Sequence, residues 1–293
     1  MAEIVYLNGS LVAPEKAMIS AFDHGFLYGY GLFETMRAYN GKIFMLERHI
    51  NRLRSSASFI GLGAVEKIDV EKACMDTLGA NKLKDARIRF TVTGGEVDAF
   101  PWASKGGAPN VVITARPPTA ITPEQYKKGY KIGLASVRRC KEAMLTHVKS
   151  TSYLTSVIAK IEAAAQGLDE AIILNNDGYI AEGGSSNVFF VRSGRLVTPS
   201  IASGILPGIT REVVIELAEE MGIGVTEGTV GVAVIRQCDE AFLTGSVMEI
   251  MPLTSASDKS GRTVIVGEGK PGPITQKLMA AYSKLVKKET GGG

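Results

Sequence analysis

The chain has 293 residues, 45% of them apolar, with 33 basic and 30 acidic side chains and a net charge of +3. That composition supports a well-filled core in one large domain or two ordinary ones and excludes an intrinsically disordered chain. There is no basic stripe with interleaved aromatics, no zinc-ligand spacing and no bilayer-length apolar run, so nucleic acid, metal and membrane are not expected partners.

In chain order, the opening MAEIVYLNG carries Glu3 and lacks the charged and apolar regions of a secretory signal. EIVYLNGSLVAP places two short apolar runs around Asn8-Gly9, the strongest short-range hairpin pattern. FETMRAYNGKIF predicts a second hairpin turning at Asn40-Gly41. LERHINRLRSSASFIG follows, with Leu46, Ile50, Leu53, Ala57 and Ile60 at helical spacing and Gly61 at its end. VEKACMDTLGAN reads as a further helix, and ARIRFTVTGG and NVVITARPP as strands. This half is α+β with antiparallel pairing.

Residues 115–126, ARPPTAITPEQY, hold three prolines, and Pro117-Pro118 fits neither a helix interior nor a central strand. A small N-terminal domain over 1–118, a linker at 119–123 and a larger cofactor-binding domain over 124–293 are therefore expected.

YKIGLASVRR begins the second half as a strand. YLTSVIAKIEAAAQG predicts a helix whose apolar face is Leu154, Val157, Ile158, Ile161 and Ala165, stopped by Gly167. EAIILN, YIA, NVFFVR and LVTP are closely spaced strands. TREVVIELAEEMG predicts a helix with Thr210 as N-cap and Gly222 beyond its end. EAFLTGS is a strand entering a tight turn. PITQKLMAAYSKLVKK closes the chain as a helix opened by Pro273 and ended by lysines, with a frayed triglycine after it. Cys74, Cys140 and Cys238 are scattered and odd in number, which fits structural thiols in a reducing cytoplasm. His24, His49 and His147 share no ligand spacing and read as structural, with no metal.

The chemistry centres on THVKSTSYL, where Lys149 stands among small hydroxyl residues before a helix. Lysine is ordinarily a solvated surface charge. Partly desolvated, it is instead a neutral amine able to condense with a carbonyl. Four further features are each, in isolation, equally an ordinary surface element. They are Glu182 leaving an apolar strand, Ile209-Thr210 at a helix N-terminus, Gly245-Ser246 at a strand end, and Arg52 on a helix. Together they meet the needs of one ligand, pyridoxal phosphate. That group requires a lysine for its aldehyde, an acid for its ring nitrogen, and amides with an arginine for its phosphate.

Five stretches then resemble the class IV, fold-type IV, pyridoxal phosphate aminotransferases. They are FDHGFLYGYGLFETMRAYNGKIFMLERHINRL (22–53), KSTSYLTSVIAKIEA (149–163), EGGSSNVFFVRSGRLVTP (182–199), GILPGITRE (204–212) and DEAFLTGSVMEI (239–250). The resemblance implies a small N-terminal α/β sandwich, a larger C-terminal pseudo-barrel and a homodimer. It implies that Lys149 is the Schiff-base lysine and proton carrier, that Glu182 faces the pyridinium nitrogen and that Tyr153 meets the ring oxygen. Arg52, Ile209, Thr210 and Ser246 would hold the phosphate. Tyr28, Phe33, Arg37 and Arg89 would line the substrate pocket, with Val247 and Met248 on a facing loop.

Within that family the substrate motifs are mixed. Branched-chain enzymes usually read FEG where residues 33–35 are FET, and usually have tyrosine where Arg87 stands. Arg87 and Arg89, two apart, share one strand face and either take up a carboxylate or are simply solvated. The leading expectation is transamination between a branched-chain L-amino acid and a 2-oxo acid such as 2-oxoglutarate. A D-amino acid or (R)-amine transaminase and an aminodeoxychorismate lyase of the same fold stay open. So does a non-catalytic phosphate-ligand binder in which Lys149 and Glu182 form only an ion pair.

Overall fold

The computed structural model describes residues 3–96, 108–257 and 262–291, and the last two glycines of the expected frayed tail lie outside them. Two units are formed. One comprises Met1–Thr119, Val148–Ser152 and Val286–Gly293, the other Ala120–His147 and Tyr153–Leu285.

In the first unit both predicted hairpins form. Strands β1 (Val5–Leu7) and β2 (Ser10–Val12) turn at Asn8-Gly9, and β3 (Gly31–Tyr39) and β4 (Lys42–Ile43) at Asn40-Gly41. All four turn residues have positive φ, which Asn and Gly adopt most readily. With β5 (Ala86–Thr93) and β6 (Asn110–Arg116) they make an antiparallel sheet of order β2-β1-β6-β5-β3-β4. Strand alternation divides its faces. Leu32, Met36, Ile88, Phe90, Val92, Val111 and Ile113 pack in the core with Leu53 and Ala57 of α2 (Leu46–Phe59) and Val70, Cys74 and Leu78 of α3 (Val70–Ala80). Phe33, Thr35 and Arg37 of β3, and Arg87 and Arg89 of β5, occupy the opposite face. The short helix α1 (His24–Tyr28) is capped by the buried Asp23, which accepts from Gly25 N at 2.6 Å and from Thr93 Oγ1 at 2.6 Å.

The second unit opens with α4 (Pro123–Lys128), where the sequence pattern predicts only linker and loop. None of its residues is buried, so no apolar periodicity marks it, and it starts instead on a Thr122/Gln125 capping box. Then come β7 (Tyr130–Arg139), α5 (Leu154–Ala165), β8 (Glu170–Asn175), β9 (Ile180–Gly183), β10 (Asn187–Arg192) and β11 (Arg195–Pro199). They are followed by α6 (Ile209–Glu220), β12 (Val225–Gly228), α7 (Val234–Gln237), β13 (Glu240–Gly245), β14 (Glu249–Ser257), β15 (Thr263–Ile265) and α8 (Pro273–Thr290), of which the residues from Val286 on count with the first unit. The sheet runs β12-β11-β10-β13-β14-β7-β8-β9 with β15 on β14, and an isolated bridge from Ile180 to Val230 helps it curl into a half-barrel. Strands covered on both faces read as unbroken apolar runs. In β10, residues 187–191 are all buried, with Phe189 stacked 5.0 Å from Phe242.

Two sequence expectations are corrected by the fold. The large apolar residues of α5 do not form its inward face, because Leu154 is 68% and Ile161 62% exposed while Ser156, Ala159 and Ala163 are buried. The helix lies close on β7 and β8, and the inner positions have room only for small side chains. Helix α6 starts at Ile209 with Gly208 as its N-cap, so Thr210 is its second residue and caps nothing. A Cβ at Gly208 would lie 1.9 Å from Asn187 Oδ1, which leaves no space there for the Ser, Thr, Asp or Asn that usually caps a helix.

Candidate active site

In the first unit the Lys149 segment is stitched to β3. Phe33 N donates to Lys149 O at 2.9 Å, Thr151 N donates to Gly31 O at 2.9 Å, and Leu32 bridges Ser150. The hydroxyl neighbours tighten this seam, with Thr151 Oγ1 donating to Gly29 O at 2.8 Å. Gly29 is required at this point. It holds φ 68° as the C-cap of α1, and a Cβ on it would come within 2.4 Å of Ser152 Oγ. Val148 packs against the core, and the Lys149 amine turns to the other face, 4.6 Å from the centre of the Phe33 ring. The Arg89 guanidinium lies 3.9 Å from the centre of the same ring. One aromatic side chain thus contacts both cations.

Arg52 lies beneath this sheet rather than on an open helix face. Its Nε donates to Glu34 Oε1 at 2.8 Å and its Nη2 to Oε2 at 2.7 Å, while His49 Nδ1 reaches the same Oε2 at 2.7 Å. Alternation along β3 puts Glu34 on the helix-covered side, and His49 and Arg52, three apart on α2, both point at it. Burial alone would raise the Glu34 pKa. The Arg52 charge and the bonds from His49 and Arg52 outweigh that and hold it far below the usual carboxylate range. Burial pushes His49 down, against the pull of the Glu34 carboxylate that its Nδ1 contacts. Sequence reasoning missed Glu34. The available pattern was an acid at a core-facing strand position followed by His and Arg on the next amphipathic helix.

Tyr28 ends α1, edge-on to the His24 ring at 5.1 Å. Arg37 lies 4.8 Å over the Tyr39 ring. Arg87 is exposed on β5 and stands directly opposite Arg37.

In the second unit Glu182 sits at the end of β9, only 4% exposed. Its Oε2 accepts from Leu206 N at 3.1 Å and lies 3.5 Å from Asn187 Nδ2, and its Oε1 is 2.9 Å from Arg139 Nη2. A buried carboxylate held by one guanidinium and two N–H donors is suited to hold an N–H cation in turn. Sequence reasoning missed Arg139 and Leu206 as well, because a strand arginine and a loop amide carry no distinguishing pattern in one sequence. Tyr153 precedes α5 and donates to Gly184 O at 3.2 Å, and burial pushes its phenol up.

At the start of α6, Gly208 contributes no side-chain acceptor to the first-turn amides of Ile209 and Thr210. A helix N-terminus of this kind favours an anion. Ser246, Val247 and Met248 make the turn from β13 to β14, where Tyr126 Oη donates to Met248 O at 3.0 Å. Just before that turn, Thr244 Oγ1 is buried and has no hydrogen-bond partner among the described residues. An orphaned hydroxyl and uncapped amides suit the oxygens of a phosphate.

The model of the family "Amino-transferase class IV" matches residues 31–256. A Salmonella typhimurium branched-chain-amino-acid aminotransferase is 34% identical over 99% of this chain and 94% of its own. A Bacillus subtilis aminodeoxychorismate lyase is 34% identical over 97% and 95%. Among solved structures, the Escherichia coli branched-chain amino acid aminotransferase superposes with a TM-score of 0.89 at 31% identity, over 99% of this chain and 96% of that one. The pyridoxal phosphate form of the Thermobaculum terrenum enzyme gives 0.81 at 31%, over 98% and 94%.

Proposed function

The chain belongs to the class IV aminotransferases, and from that premise we propose that it transfers the amino group of a branched-chain L-amino acid to a 2-oxo acid such as 2-oxoglutarate, using pyridoxal phosphate. The observation that carries the reading is the pairing of chemistries. A lysine amine is presented on an aromatic face in the first unit, and a buried, arginine-held carboxylate lies in the second.

The donor set fits that cofactor, which supplies an electrophilic carbonyl and an electron-accepting ring. Lys149 would provide the amine that anchors it and move a proton at Nζ between substrate and cofactor carbons. Glu182, positioned by Arg139 and the Leu206 amide, would hold a proton on the ring nitrogen. Tyr153 would donate to the ring oxygen. Arg52, Ile209, Thr210 and Ser246 would hold the phosphate, with the Glu34 fork fixing the Arg52 guanidinium. Tyr28, Phe33, Arg37, Arg87, Arg89, Val247 and Met248 would orient the substrate. In this reading a small N-terminal domain (1–118) and a large C-terminal one (124–293) flank the linker at 119–123.

The test is a panel of half-reactions on the cofactor-loaded protein. L-Leucine, L-isoleucine and L-valine are expected to convert the visible band of the bound cofactor to the near-ultraviolet band of its amine form, and 2-oxoglutarate to restore it. Conversion only by D-amino acids or an (R)-amine would move the assignment to those relatives. No visible band at all would leave the non-catalytic binder. The similarity to the lyase favours one second reading. Pyruvate release from aminodeoxychorismate with no oxo-acid acceptor present would establish it, and strict dependence on an acceptor would remove it.

A homodimer and a cytoplasmic setting belong to the same proposal. The exposed apolar row Leu154, Val157 and Ile161 on α5 is a surface a second copy would cover. Ile161→Glu is expected to convert a dimer to a monomer in sedimentation, whereas an unchanged mass would place the interface elsewhere. The free cysteines support a reducing compartment, and burial pushes Cys74 up to about 12 and Cys238 to about 11, leaving both unreactive.

A further inference from the structure

We infer that Ser156 is a positioning residue that ties the Tyr153 phenol to the Arg139–Glu182 pair, so that one hydrogen-bonded chain sets the groups meant for the ring oxygen and the ring nitrogen of the cofactor. This rests on the transaminase reading above. All four residues belong to the second unit. Ser156 lies on the inner face of α5 with Ala159 and Ala163 and is only 1% exposed. Alanine is the better helix former and would fill that position as well, so packing gives no reason for a hydroxyl there. Arg139 Nη2 donates to Ser156 Oγ at 3.1 Å and lies 2.9 Å from Glu182 Oε1. Ser156 also hydrogen-bonds the Tyr153 side chain, whose Oη donates to Gly184 O at 3.2 Å. A guanidinium only donates, so the serine oxygen accepts from Arg139 and its own hydrogen is left for Tyr153 Oη.

The chain therefore has a direction, from guanidinium to hydroxyl to phenol. Among the described residues Arg139 Nε is buried without a hydrogen-bond partner, so the two contacts of Nη2 aim the guanidinium. Burial pushes the Tyr153 pKa up, with the Glu182 and Glu170 charges acting the same way, while the Ser156 hydrogen bond and the Arg139 charge draw it back. A phenol with a donor behind it is polarised into a stronger donor itself. The loop after Glu182 does not depend on Ser156 for its shape. Gly183 N donates to Ser186 O at 2.7 Å and Gly184 N to Ala171 O at 3.0 Å. One turn further along α5, Lys160 Nζ donates to Ser185 Oγ at 3.1 Å and to Glu170 Oε2 at 3.3 Å.

The test compares the parent with Ser156→Ala and with Ser156→Cys, which keeps the volume but offers only a weak donor. In both variants the dissociation constant for pyridoxal phosphate, measured by equilibrium dialysis, is expected to rise about tenfold, the worth of one hydrogen bond between neutral groups. The visible band of the loaded protein should shift in both. On L-leucine kcat should fall by a similar factor while KM stays within about twofold, because no substrate contact is removed. The Tm is expected to hold, since alanine suits the helix. In a Tyr153→Phe background, Ser156→Ala should change the cofactor dissociation constant by less than about threefold, because the phenol it acts through is gone. An unchanged dissociation constant and band, an equal effect in both backgrounds, or a loss matched by a fall in Tm overturns the inference. A parent protein that takes up no pyridoxal phosphate would instead overturn the transaminase reading.

Discussion

Lys149→Ala is expected to lower kcat for amino-group transfer by about four orders of magnitude, the upper end of what one positioned acid–base group contributes. The fold should tolerate it. The segment is held by backbone bonds from Phe33 N and Thr151 N and by the Thr151 hydroxyl, none of which uses the lysine side chain. Loss of activity with an unchanged Tm therefore reports chemistry. Borohydride reduction of the loaded parent followed by peptide mapping should place a pyridoxyl label on Lys149, and the variant should take none. A label on another lysine, or a variant as active as the parent, would remove Lys149 from the mechanism.

Glu34→Ala is expected to have the largest effect on stability. It strips the carboxylate from a buried cluster and leaves the Arg52 guanidinium and the His49 ring without their acceptor. Breaking a buried pair from one side costs about 3–5 kcal/mol. Denaturant titration at pH 7 should show that loss in the midpoint, with an unchanged slope. The effect has a pH signature. The Glu34 pKa is lower in the folded state than the roughly 4.3 of an unfolded glutamate. Its stabilisation is therefore complete above that pH and is lost as the pH falls towards the folded-state value. The Glu34 contribution to the gap between parent and variant should shrink as the pH falls below about 5. A gap independent of pH would mean that the cluster contributes packing alone. Glu34→Gln, which keeps the shape, should retain part of the stability but release Arg52, weakening cofactor affinity more than folding.

Local chemistry makes much of the molecule legible in its sequence. Asn8-Gly9 and Asn40-Gly41 specify their hairpins because few other residue pairs accept two positive φ angles in succession. The face of α2 follows from its spacing, and Pro273 opens α8 as expected. Lys149, Glu182 and the PGIT helix start carry a signal only in combination, because each by itself is equally an ordinary surface lysine, loop acid or helix start. The outward face of α5 is misread for the complementary reason. Periodicity reports which residues share a face, and whether that face meets a sheet or water depends on the space left at the contact.

The sequence alone determined the hairpins and most of the helices and strands, because turn geometry and periodicity are properties of short stretches of chain, while the resemblance of five motifs pointed to the family. Which acid is buried under which arginine was decided only by tertiary structure. Glu34 meets Arg52 because a sheet face closes under a helix, and Arg139 meets Glu182 because β7, β8 and β9 lie side by side. Electrostatic partnership depends on distance and desolvation across strands far apart in the chain, and spacing along a single sequence contains neither.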